Sequence, residues 1–193
     1  TPDSAFITNM AAAGYRNLST DDIVRLAVID VTVAHARGLA QAGYAIVTPV
    51  PSCTLMFKAE LPLLFAADVR CKAVSEAMYD PFEYFVLRHK DGLLKTDFKV
   101  PLGRVSYHIP CHSRVQNVGR KTEEMLKLTG ATVNTVERCA GHDGTWGVNE
   151  EYYALSMKIG KPVFKAMAKD EPDYVSSDCA IAGRHILQGM NEA

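Results

Sequence analysis

The segment Arg104-Val-Ser-Tyr-His-Ile-Pro-Cys-His112, with Arg114 to Leu128 behind it, decides the fold. Arg104 to His108 reads as a strand, Ile109-Pro110-Cys111-His112 as a loop, and Arg114 to Leu128 as a helix. The unit then recurs. Thr132 to Glu137 reads as a strand, Arg138 to Gly147 as a loop and Glu150 to Ala168 as a helix; Tyr174 to Ser176 is a strand, Ser177-Asp178-Cys179 a loop and Ala180 to Gln188 a helix. Strands alternating with helices predict an α/β fold with parallel strands and crossover helices.

Upstream the same grammar is looser. Residues 1–19 are weakly patterned, and Thr20 or Asp21 can cap a helix running to about Ala42, closed by Gly43. Ala45-Ile-Val-Thr48 is a short β-rich run, Pro49-Val-Pro-Ser-Cys53 a rigid loop, and a helix follows from about Thr54. Residues 66–90 predict two short helices, the second begun by Asp80 with Pro81 in its first turn.

This alternation organises the cysteines. Cys53, Cys111, Cys139 and Cys179 each fall just after a predicted strand and just before a helix. In an open parallel sheet all such loops lie at the carboxyl edge of the strands, where α/β proteins bind ligands. Each also stands near a helix N-terminus, whose partial positive charge favours a thiolate. A free cysteine is ordinarily a small buried apolar residue, and Cys71, inside a helical stretch, fits that description. Four at equivalent strand-to-helix positions fit it less well, because core cysteines have no reason to prefer one edge.

Bulk properties narrow the function. The chain has 193 residues, 48% of them hydrophobic, and a net charge of −1. Its Lys and Arg are scattered, which argues against nucleic acid. No apolar run reaches the roughly 20 residues that span a bilayer; Leu26 to Ala36 is interrupted by Asp30 and His35. Five cysteines without a CxxC pair make a poor disulfide framework and suit a reducing compartment, where separated thiols point to metal. No signal peptide or basic targeting segment is recognisable, so the expected location is cytoplasmic, including a peripheral place on the cytoplasmic side of a membrane.

Histidines accompany the thiols. His112 follows Cys111, His142 lies three residues after Cys139, and His185 six after Cys179. Such residues hydrogen-bond sulfur or ligate metal themselves; the plainer reading, helix caps and loop hydrogen bonds, suits His185 best. His108 reads as a strand end, and His35 and His89 as ordinary helix residues. Gly141-His-Asp-Gly-Thr-Trp-Gly147 is either a loop whose backbone N–H groups face a charged group or a simple turn anchored by Trp146. It lacks the GKS/T ending of a phosphate loop, and no GxSxG elbow surrounds Ser52 or Ser177.

Four stretches, Val50-Pro-Ser-Cys53-Thr-Leu-Met-Phe-Lys58, Tyr107 to His112, Glu137-Arg-Cys139-Ala-Gly141 through Val148, and Ser177-Asp-Cys179-Ala-Ile-Ala182, occur in order and together resemble the cysteine-rich CCG domain family. That family includes the B subunit of heterodisulfide reductase, the C subunit of anaerobic glycerol-3-phosphate dehydrogenase, and iron–sulfur subunits of lactate and glycolate oxidation. The likeness is nearest to the glycerol-3-phosphate and lactate types and covers about residues 40 to 190. The resemblance implies a pseudo-repeat of two CCG-type units. Residues 1–98 would be an incomplete first unit with a helical connection, and residues 99–193 a second.

It also implies an iron–sulfur electron-transfer subunit, relaying electrons between a flavoprotein dehydrogenase and a quinone or membrane-anchor subunit. Cys53, Cys111, Cys139 and Cys179 would hold a 4Fe-4S cluster, with His112 and His142 as neighbours or substitute ligands. The sequence departs from the family in two places: Ala140 stands in its Cys-Cys-Gly and Ala182 in its closing Cys-x-x-Cys. Those losses argue against disulfide reduction by the route of the heterodisulfide-reducing members. The alternatives are a structural zinc site on the same residues, a thiol/disulfide enzyme, and a metal-free interaction scaffold.

Overall fold

The computed structural model of the chain describes residue 38 and residues 42–192. The helix expected from Thr20 or Asp21, with the apolar run 26–36 and His35, falls outside them except for Gly38 and Ala42.

In the first half, strand β1 (Ile46–Val47) pairs in parallel with β2 (Met78–Tyr79). Between them run α1 (Pro51–Leu55), a π-helical turn (Met56–Glu60), α2 (Leu61–Leu64) and α3 (Val69–Ala77). Helix α4 (Pro81–Lys90) follows β2 and starts on a capping box. The Asp80 carboxylate accepts the Phe82 N–H at 2.9 Å, and Glu83 reaches back to the Asp80 N–H. Phe57, Leu61, Cys71, Val74 and Met78 form the core of this half. Cys71, 4% exposed, is the small core residue expected.

The second half holds the main sheet. Strand β3 (Arg104–His108) leads through α5 (Cys111–Val115) and α6 (Lys121–Leu128) to β4 (Thr132–Val136). A loop and a 3-10 turn (Trp146–Val148) then enter α7 (Glu150–Ala168), which returns to β5 (Tyr174–Ser177) and α8 (Ala180–Asn191). The three strands are parallel in the order β4-β3-β5. The fold is α/β with helical crossovers, as the alternation predicts. Helices α7 and α8 pack on each other, and Val163, Phe164 and Met167 join Ala182, Ile186 and Val136 in the core.

Register fixes where the chain leaves the sheet. His108 stands opposite Val136 on one side and Ser177 on the other, so all three strands end in one row. Cys111 and Cys139 come three residues after that row and Cys179 two, which carries all three to the carboxyl edge.

Two boundaries differ from the sequence reading. The helix expected over 114–128 is two helices: Asn117 (φ 53°) and Gly119 (φ 82°) take left-handed conformations that no helix continues through. The 49–53 segment is not all loop. Pro51 occupies the first helical turn, where its missing N–H costs nothing, so α1 starts earlier and takes in Cys53. Among the described residues no helix is long and apolar enough to cross a membrane.

The loop after β4 lies hard against α7. A Cβ at Gly160 would come within 2.5 Å of the Ala140 carbonyl, and one at Gly141 (φ +90°) within 2.5 Å of the Ser156 carbonyl. Alanine normally stabilises a helix over glycine, but here it would push the loop off its seat. Gly160→Ala is expected to lower unfolding free energy by about 1–3 kcal/mol, measured by denaturant titration.

Candidate metal centre

The carboxyl edge opens into a cavity of about 650 Å³. Cys111, Cys139 and Cys179 line it from three different strand-to-helix connections, together with His112 and His142. Cys111 is the first residue of α5, Cys139 sits in the loop after β4, and Cys179 is the N-cap of α8. Cys111 and Cys139 are exposed and Cys179 half-buried. Cys53 is treated differently: Pro49, Val50 and Ser52 line the cavity, whereas Cys53 is exposed and does not. The structure thus brings together three of the four expected thiols and both flanking histidines.

Residues 105–183 match the model of the family described as CCG, a cysteine-rich domain. This segment is a CCG domain. It contains all three cavity cysteines and falls within the second of the two units expected from sequence. Over 163 residues the chain is 26% identical to the C subunit of the anaerobic glycerol-3-phosphate dehydrogenase of Escherichia coli K12, covering 83% of this chain and 40% of that protein. The protein of the same name from Escherichia coli O157:H7 matches with the same figures. The chain therefore spans about two fifths of the length of these relatives. No solved structure gives a significant match.

Within the CCG domain two buried histidines hold the cysteine loops. His108, 2% exposed, lies 2.8 Å through Nε2 from the Arg138 carbonyl and 3.1 Å through Nδ1 from Ser177 Oγ. The carbonyl can only accept, so Nε2 carries the proton and Nδ1 accepts from the Ser177 hydroxyl. Burial holds the ring below the ordinary imidazole range and keeps it neutral. On the far side of Cys139, Ser156 Oγ donates to the Gly141 carbonyl at 2.9 Å and meets His185 Nε2 at 3.2 Å. Cys139 is therefore bracketed by two anchored carbonyls.

The thiols differ electrostatically. Interaction with the His142 side chain pulls the Cys179 thiol below the ordinary range against the opposing effect of burial, and the N–H groups of Ala182 and Ile181 at the start of α8 add to it. Reciprocally, Cys179 raises His142. Cys111 Sγ lies 3.8 Å from His112 Nδ1. Among the described residues no three His, Cys, Asp or Glu side chains converge tightly enough to hold a single metal ion.

Behind Cys179, Asp178 accepts hydrogen bonds from the Tyr107 hydroxyl and, at 3.0 Å, from Thr122 Oγ1. The sequence reading missed this network and the His108 clasp, whereas for His185 it expected the loop hydrogen bonding that the Ser156 contact supplies. Tyr107, His108 and Ser177 are polar residues at strand positions, and their partners in the loops and helices become legible only once register is known. Burial pushes the Asp178 carboxyl up to about 6 from an ordinary 3.8, against those two hydrogen bonds. A carboxyl raised on folding stabilises the protonated fold. That contribution is complete below pH 3.8 and is lost as pH rises through about 6. The loss is at most about 3 kcal/mol. Asp178→Asn is expected to remove this slope: denaturant midpoints between pH 4 and 6.5 should converge on or overtake wild type as pH rises.

Proposed function

We propose that the chain is an iron–sulfur electron-transfer module, with a 4Fe-4S cluster carried at the carboxyl edge of its CCG domain. The observation that carries this reading is the convergence of Cys111, Cys139 and Cys179, from three separate connections, on one cavity of about 650 Å³. The donor set fits the group. Thiolates are the natural ligands of iron–sulfur clusters, and three thiols line a space far larger than one ion needs. A mononuclear zinc site on the same thiols would gather its donors at about 2.0–2.3 Å from one point, and metal and sulfide analysis separates it from a cluster.

Cys111, Cys139 and Cys179 would each supply a thiolate. The fourth position falls to Cys53, whose neighbours line the cavity, or to His142 or His112. The cluster would supply one-electron transfer. The chain's own part is to fix the ligand loops, to favour the Cys179 thiolate through His142 and the α8 N-terminus, and to set the polarity around the sulfur atoms. On this reading residues 1–98 are the tail of a first CCG-type unit and residues 99–193 a second. The partners are a flavoprotein dehydrogenase and a quinone or membrane-anchor subunit on the cytoplasmic side of a membrane, with substrate oxidation on the dehydrogenase.

A thiol/disulfide reading of the cavity draws on the lowered Cys179 thiol, but Ala140 and Ala182 leave it without the neighbouring cysteines it would use. Anaerobic purification with iron, zinc and acid-labile sulfide analysis, and EPR after dithionite, tests the proposal. About four irons and four sulfides per chain are expected, lost in Cys111→Ser, Cys139→Ser and Cys179→Ser and kept in Cys71→Ser. Cys53→Ser distinguishes a cluster shared between the halves from one held by the CCG domain alone. Zinc without sulfide, or turnover of a model disulfide by metal-free protein, overturns the reading.

A further inference from the structure

We propose that His108 is a positioning residue of this site, the side chain that ties the Cys139 loop to the Cys179 loop and so sets their spacing. β3 is the central strand and alone touches both β4 and β5. His108 ends it, and its ring spends both nitrogens on the two neighbouring loops. Nε2–H donates to the Arg138 carbonyl at 2.8 Å. That oxygen belongs to the peptide unit whose other side is the Cys139 N–H, and the unit is planar. Anchoring the oxygen therefore orients the backbone entering Cys139.

The other nitrogen acts through a relay. Nδ1 accepts from the Ser177 hydroxyl at 3.1 Å, and Ser177 Oγ accepts the Cys179 N–H at 3.4 Å. The donors run in one direction, from the Cys179 N–H to Ser177, from Ser177 to His108, and from His108 to the Arg138 carbonyl, with every proton used once. The strand itself delivers Cys111 three residues later, and the Ile109 N–H is pinned to the Val136 carbonyl at 3.0 Å. An apolar residue in place of His108 would remove the partner of both the Arg138 carbonyl and the Ser177 hydroxyl and break the relay between the two loops.

The consequence for a cluster rests on the iron–sulfur reading, so the test carries one readout that needs no metal. Metal-free wild type, His108→Ala, His108→Gln and Ser177→Ala are treated with the short thiol-bridging reagent dibromobimane. The Cys139–Cys179 bridged peptide is followed by mass spectrometry, with circular dichroism as the check on folding. Bridging is expected to slow at least tenfold in His108→Ala and at least threefold in Ser177→Ala. His108→Gln, whose amide can still donate to Arg138, should recover part of the rate.

In anaerobically loaded protein, His108→Ala should release iron to a chelator at least tenfold faster and broaden the reduced EPR signal. Should His108→Ala fail to fold, Ser177→Ala and His108→Gln carry the comparison. Folded variants that bridge at the wild-type rate overturn the inference, as does a wild type that does not bridge. A wild type that bridges but takes up no iron overturns the iron–sulfur reading and leaves the positioning role standing.

Discussion

The row His108, Val136 and Ser177, where three parallel strands finish in register, governs what the second half of the chain can do. Cysteines 28 and 40 residues apart in sequence share a cavity because each follows that row by two or three residues. Hydrogen-bond register is an all-or-none property. A one-residue slip would turn each side chain of a strand to the opposite face and remove a cysteine from the edge. The ring of His108 ties the row across its top, converting strand register into loop position.

The loops are held from beneath as well. Gly160 and Gly141 let the 139–147 loop settle on α7 at a distance no side chain would permit. Ser156 then fastens the Gly141 carbonyl to the helix, with His185 against the same hydroxyl. Both clasping histidines are buried, and burial holds each below the ordinary imidazole range. A neutral imidazole offers one donor and one acceptor, which is what a relay between a carbonyl and a hydroxyl requires. A lysine or arginine could only donate and would bring a charge that burial penalises.

What can be read from sequence follows from this division. The strands Arg104–His108 and Thr132–Val136 are legible because residue pattern and punctuation by Gly and Pro report local structure, and the helix Glu150–Ala168 is legible from its periodicity despite Gly160 and Pro162 inside it. From them the carboxyl edge and its three cysteines follow. The break at Asn117 and Gly119 escapes such a reading because the charged and apolar residues on either side suit one continuous helix. The early start of α1 escapes it because Pro51 suits a loop as well as a first helical turn. His108 reads only as a strand end, since its role depends on Ser177 and Arg138, residues 69 and 30 positions away.

Cys53 shows where local grammar runs out. It follows a strand as the other three do, yet its strand belongs to the separate β1-β2 pair, and among the described residues no register connects that pair to the His108 row. Its tie to the CCG domain is through α1, where Gln116 Nε2 of the α5 turn donates to the Pro51 carbonyl at 3.0 Å. The position of Cys53 relative to the cavity thus depends on packing between α1 and α5 rather than on shared strands. A thiol set by register is fixed by cooperative backbone bonds, whereas Cys53 is set by side-chain packing between helices. The physical difference between the two kinds of tether separates Cys111, Cys139 and Cys179, as the framework of the site, from Cys53 at its margin.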